Sequence, residues 1–163
     1  MTVEPLVVLI VGVPGAGKTT VARALAERLP RSACIEGDLV QHHFTVNGLV
    51  GPGGLPAEES TRQLELRWDN CAALARNFWR TGFSVVVEHA ASRRSWVERF
   101  ASEMGDVPVS LVVLAPALTV ALERGPYPHR EAGGRTVRAH GRRAEAGARG
   151  PGLVVGHLGP DGG

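Results

Sequence analysis

Eight residues constrain this chain more than any others: Gly12-Val13-Pro14-Gly15-Ala16-Gly17-Lys18-Thr19, set between an apolar run at 6–11 and the helical spacing of Val21, Leu25 and Leu29. The order is strand, glycine loop, helix. A G-x-x-x-x-G-K-T spacing in that context forms a phosphate-binding loop, because glycines let successive backbone N–H groups turn inward around an anion at the positive end of a helix dipole. Gly12, Val13, Pro14, Gly15, Ala16, Gly17, Lys18, Thr19 and Thr20 are therefore expected to line a nucleotide. Lys18 would reach its β- and γ-phosphates and the Thr19 hydroxyl would ligate Mg²⁺.

Composition supports the role of Lys18. The chain has 18 basic residues, and Lys18 is the only lysine among them. Where arginine is used wherever it will serve, a remaining lysine marks a place that needs a compact ammonium rather than a planar guanidinium. At 163 residues the chain fits one domain able to bury about 70% of its unfolded surface. A net charge of +2 suits an anionic nucleotide and falls short of the dense basic face of a nucleic-acid binder. Cys34 and Cys71 have neither metal spacing nor a disulfide framework, and both read as buried thiols in a reducing compartment. Residues 1–5 lack the length and basic start of a signal peptide, and no apolar run approaches the ~20 residues that span a bilayer, so a cytoplasmic protein is expected.

The rest of the chain alternates strands and helices. The β-branched run at 6–11 reads as a central strand covered on both faces. A helix follows from Lys18 to about Leu29, burying Val21, Leu25 and Leu29, and Pro30 stops it. A short second strand at 33–35 is followed by Gly37-Asp38. Residues 39–56 are less regular, and Asn47-Gly48 with Gly51-Pro52-Gly53-Gly54 mark a flexible loop in their second half. A long helix is expected over 56–80, closed by Thr81-Gly82. On it Trp68 and Phe78 read as core, and Arg62 and Arg67 as a solvated face. A third strand at 83–87 ends in Glu88-His89; Ser92 can cap a helix to about Met104, with Trp96, Phe100 and Met104 on one side. A fourth strand occupies 109–114 and a short helix 118–124. This alternation predicts a three-layer α/β fold with a right-handed parallel sheet and ligands above the carboxyl ends of its strands.

Beyond Arg124 the character changes: residues 125–163 hold 11 glycines and six arginines, with Leu153-Val154-Val155 as a plausible final strand. Such a segment cannot bury enough apolar surface to fold alone. Residues 1–124 are expected to form the core, and 125–163 an atypical arginine lid and tail of the same domain. The abrupt change suggests a truncated or frame-altered end. Resequencing that found an uninterrupted frame, with no better helix in an adjacent one, would dismiss that idea.

Phosphoryl transfer needs a held nucleotide, neutralised charge and an acceptor hydroxyl aligned in line. The glycine loop supplies the first. For the second, Glu88 stands where a carboxylate beside the first strand could hold Mg²⁺ directly or through a water, although solvated acids are common at strand ends. For the third, Asp38 could accept the acceptor's proton or merely orient its hydroxyl; it could equally cap a helix starting near Leu39. Arg124 and then Arg130 are the first candidates for neutralising transition-state charge, ahead of Arg135 and Arg138. His42 and His43 either line the acceptor pocket or lie on the surface, and without cysteine partners they do not make a metal site.

Together, residues 12–19, the Gly37-Asp38 step and the acid after Val85-Val86-Val87 resemble the small P-loop kinases of the chloramphenicol phosphotransferase type. Gluconate and shikimate kinases and the nucleoside monophosphate kinases are more distant relatives. The resemblance covers about residues 7–124. It implies a P-loop NTPase fold with sheet order 2-3-1-4-5, an aspartate at position 38 that activates the acceptor hydroxyl, and a lid whose arginines close over the triphosphate. The chain departs from that pattern in the lid and beyond. The activity implied is transfer of the γ-phosphate of ATP, with Mg²⁺, to a hydroxyl of a small molecule such as an antibiotic, sugar or nucleoside. A non-catalytic nucleotide-binding module and a kinase of nucleic-acid 5′-hydroxyl ends are the alternatives. A GTPase switch is disfavoured, because the chain has no Asn-Lys-x-Asp segment to read guanine.

Overall fold

Strand β1 (Val7–Gly12) is buried along its whole length, which puts it in the middle of the sheet. Strand β3 (Ser84–Ala90) pairs with it on one side, Leu9 beside Val87 and Ile10 beside Glu88. Strand β4 (Val109–Ala115) pairs on the other, with Val112 beside Ile10. β2 (Ser32–Glu36) lies outside β3 and β5 (Gly152–Leu158) outside β4, giving the order β2-β3-β1-β4-β5. The computed structural model describes residues 4–91, 93–115 and 152–158. The first four strands are parallel, an arrangement that needs crossover connections such as the helices between them. β5 departs from the expected parallel sheet: it runs antiparallel to β4, Val155 opposite Val112. An antiparallel edge strand is a common ending for an otherwise parallel sheet.

Both faces of the sheet are covered, so odd and even positions of β1 are apolar alike. Val7, Leu9 and Val11, with Val85 and Val87, meet Trp68, Cys71, Ala72 and Ala75 of α3 (Ala57–Arg80) and Phe100 and Met104 of α4 (Arg94–Met104). Val8, Ile10 and Val86 meet Ala22 and Ala26 of α1 (Lys18–Ala26). Here the expected pattern shifts by one residue. Ala22 and Ala26 take the inner positions, Leu25 and Leu29 pack at their flanks, and Val21 is 40% exposed. The small side chains of α1 occupy the contact with the sheet, and its larger ones lie beside it.

Other expectations also moved. Part of the stretch read as irregular is helix α2 (Gly37–Phe44). β3 continues through Ala90, so Glu88 and His89 lie inside the strand rather than after it. Phe78, read as core, is 38% exposed and rests edge-on against Phe83. Cys71 is buried, but Cys34 is exposed because β2 is an edge strand. Arg62 is solvated and paired with Glu58 and Glu59, whereas Arg67 is buried. Ser92 and the helix expected at 118–124 lie outside the described residues. No helix among the described residues is long and apolar enough to cross a membrane.

Candidate functional site

The loop between β1 and α1 owes its glycines to two different causes. At Gly12 a Cβ would lie 2.5 Å from the Leu114 carbonyl oxygen of the neighbouring strand, so close strand packing excludes a side chain. Gly15 and Gly17 have φ of 76° and 84°, the left-handed conformation that glycine alone adopts without cost. Gly17 is the N-cap of α1 and offers no side chain to the helix's first N–H groups, which are left for an anion. Val13, Pro14 and Thr20 are exposed, and Ala16 is buried. Lys18 is buried; its ammonium donates to the Val13 carbonyl oxygen at 3.0 Å, so it lies over its own loop. Burial lowers its pKa, while the negative charges of Glu88 and Asp38 pull it back up.

Glu88 reaches this loop from the strand next door. The Thr19 hydroxyl donates to Glu88 Oε1 at 3.4 Å, and the carboxylate is only 5% exposed. Burial raises its pKa, chiefly against the opposing pull of Lys18. A hydroxyl and a carboxylate side by side are hard oxygen donors, the set Mg²⁺ takes when waters and phosphates complete its shell. Among the described residues no group of three or more His, Cys, Asp or Glu could hold a metal by itself. A cation at Thr19 and Glu88 would therefore share its shell with phosphate oxygens, and the residues present fit that arrangement.

Asp38 stands in the first turn of α2 without capping it; the N-cap residue is Glu36, which makes no side-chain cap bond. The Asp38 side chain is 53% exposed, and it accepts a hydrogen bond from Arg67 Nη1 at 2.7 Å. Arg67 also donates to Gln41 Oε1 at 3.2 Å, so it ties α3 to two successive turns of α2. Sequence reasoning missed Arg67, though a signal was there. It stands three residues after Leu64 and four before Cys71, on the apolar stripe of α3, where a charge needs a buried partner.

His89 was missed as well. It is fully buried, and its ring stacks on Trp68 with centroids 3.6 Å apart. Nδ1 lies 3.0 Å from the Ala90 carbonyl oxygen, which assigns the proton to Nδ1 and the lone pair to Nε2. Burial, assisted by the Arg67 charge, lowers its pKa to about 3, so the ring is neutral. Gln41 Nε2, Arg67 Nε, Trp68 Nε1 and His89 Nε2 are buried without a hydrogen-bond partner.

Of the residues expected to act together, Lys18, Thr19, Glu88 and Asp38 are gathered at the carboxyl ends of β1, β3 and β2. His42 and His43 are exposed on α2. His43, with Arg23, Cys34, Leu39, Phe44 and Phe78, borders a cavity of about 620 Å³ that none of Lys18, Asp38 or Glu88 lines. Arg124, Arg130, Arg135 and Arg138 lie outside the described residues.

Comparison with known proteins agrees with this architecture. The sequence pattern of a family described as AAA domain matches residues 7–148. No curated protein compared with the chain is a match. Among solved structures, APE1195 is similar with a TM-score of 0.60 and 22% identity over 76% of this chain and 68% of its own. A sugar kinase from Janibacter sp. HTCC2649 superposes with a TM-score of 0.54 and 18% identity, over 74% of this chain and 65% of that one. A chain of the Pnkp1/Rnl/Hen1 RNA repair complex has the same TM-score of 0.54 and 18% identity, over 74% of this chain and 36% of its own. At such identities the likeness is one of fold.

Proposed function

The chain belongs to the AAA-domain family, and on that premise we propose that it is an ATP- and Mg²⁺-dependent kinase that phosphorylates a hydroxyl of a small molecule, an antibiotic, sugar or nucleoside. The observation that carries this reading is the meeting of Lys18, the Thr19–Glu88 pair and Asp38 at the ends of three adjacent strands. Residues 12–20 would hold the triphosphate, with Lys18 exchanging its Val13 carbonyl for phosphate oxygens. Thr19 and Glu88 would hold Mg²⁺, which when bound neutralises charge on the phosphates. Asp38, kept in place by Arg67, aligns the acceptor. The bond from the γ-phosphorus to the β–γ bridging oxygen breaks as a bond to the acceptor oxygen forms, and the hydroxyl proton leaves to Asp38 or to solvent. A loose transition state asks for alignment more than for a strong base. Residues 1–124 would serve as the core, with β5 completing its sheet, and the rest of 125–163 as an atypical lid and tail of the same domain, with Arg124 and Arg130 supplying positive charge to the transferred group. With no membrane-crossing helix among the described residues, we place the reaction in the cytoplasm.

ADP release from MgATP, measured across a panel of hydroxylated small molecules, tests the proposal. At least one acceptor should give turnover that Lys18→Ala abolishes. Calorimetric MgATP binding with no ADP release for any acceptor would instead make the chain a nucleotide-binding module. The fold neighbour from an RNA repair complex gives a second reading its footing, a kinase of nucleic-acid 5′-hydroxyl ends. Salt-dependent binding of a 5′-hydroxyl oligonucleotide, followed by its phosphorylation, would favour that one.

A further inference from the structure

Gly37 has no positive φ that would call for glycine, yet the fold leaves no room there for any other residue. A Cβ at this position would lie 2.5 Å from His89 Cδ2, 3.0 Å from Nε2 and 3.1 Å from Cγ. The first residue of α2 therefore abuts the imidazole ring directly. That ring cannot retreat, because it stacks on Trp68 at 3.6 Å and 20°. Trp68 is itself fixed by the parallel indole of Trp96 at 6.2 Å and the edge of Phe100 at 6.3 Å. The residue after Gly37 is Asp38, and the residue before His89 is Glu88.

We propose that His89 is a positioning residue: its ring is the spacer that sets how closely α2 approaches β3, and so where Asp38 is held relative to Lys18 and Glu88. The ring is 1% exposed, which removes it from any reacting atom, and its unpartnered Nε2 fits a side chain kept for its shape. Arg67 completes the arrangement by tying Asp38 and Gln41 to α3. The catalytic meaning of this spacing rests on the phosphotransfer reading; the spacing itself does not.

The test compares Gly37→Ala, His89→Ala and the double variant by crystal structure, calorimetric MgATP affinity and, with an acceptor from the hydroxyl panel, steady-state kinetics. Gly37→Ala should push α2, and Asp38 with it, away from the His89 ring by about 1 Å, the gap between 2.5 Å and an ordinary contact. MgATP affinity should stay within about twofold, and kcat should fall on the order of 100-fold, the effect of an ångström of misplacement. In the double variant the alanine Cβ has room, so α2 should return and kcat should rise to the level of His89→Ala alone. If Gly37→Ala does not fold, recovery of folding in the double variant gives the same support. An unmoved α2 in Gly37→Ala, or a double variant no better than Gly37→Ala, overturns the proposal. Absence of MgATP binding in the wild type would sink the kinase reading, while the coordinates and the double-variant rescue would still decide the spacer.

Discussion

Asp38 and Arg67 form one ion pair with two unequal members. The arginine side chain is 3% exposed and the aspartate 53%, so removing one or the other leaves very different remnants. Without Asp38, the guanidinium stays buried without its ion-pair partner, with only the more indirect pull of Glu88 left, a situation that costs about 3–5 kcal/mol. Without Arg67, the carboxylate simply turns to water. Urea unfolding should therefore find Asp38→Ala destabilised by about 3–5 kcal/mol and Arg67→Met, which keeps the volume, by less than about 2 kcal/mol, the cost of leaving Gln41 without its donor. The reverse order would mean that the buried charge is not the costly group. Asp38→Asn should lower turnover more than ATP affinity, and the same unfolding measurement must accompany it, since Asp38 also neutralises a buried cation. Wild-type turnover in Asp38→Asn would remove the aspartate from the chemistry.

At the level of elements, α1 and α3 use opposite solutions to pack on the sheet. α1 presents the small side chains Ala22 and Ala26; α3 presents Trp68, in an aromatic layer with Phe100 and Trp96. Ala22→Leu should cost about 1–3 kcal/mol through overpacking. Val21→Ala, one position away and 40% exposed, should change stability by no more than about 0.5 kcal/mol. Comparable losses at the two sites would restore the helix phase expected from the Val21, Leu25 and Leu29 spacing. Trp68→Ala should cost about 3–5 kcal/mol and, if the imidazole leans on the indole as described, should also loosen α2. Faster amide exchange in α2 than in α1 would register that loosening.

For the whole molecule, buried titrating groups set how stability depends on pH. His89 falls from an ordinary 6.5 to about 3 in the native state. Between those values the unfolded chain binds a proton that the native ring refuses, so stability is fully present above pH 6.5 and is lost as pH falls through this window. The slope is at most about 1.4 kcal/mol per pH unit. Glu88 acts in the opposite sense: its raised pKa contributes stability below 4.5 that is lost as pH rises above it. From pH 7 to 5 the thermal midpoint of the wild type should fall relative to that of His89→Asn, in which the opposing contribution of Glu88 is retained. Equal slopes would mean that the ring titrates alike in both states. MgATP at about 100 times its Kd should add about 2.7 kcal/mol to the wild type and nothing to Lys18→Ala.

What was legible in the sequence was whatever short-range physics decides. The loop at 12–19, helices α1, α3 and α4 and the parallel strands follow from spacing, glycine and β-branching within a few residues, and the strand–helix alternation then leaves few topologies open. Side-chain fates were less readable. The apolar stripe of α3 could have set Arg67 apart from the solvated Arg62, but only the packing of α2 against α3 shows which groups its buried charge meets. Cys34 and Cys71 differ because one strand falls at the sheet's edge. In the sequence Gly37 was only the residue between the second strand and Asp38, yet its smallness is required by a ring far away in the chain. By itself the sequence determined the fold class and a phosphate loop, since both rest on local conformation. The tertiary structure alone decided what surrounds Asp38, because burial and contact depend on which elements meet, and residues far apart in the chain meet only after folding.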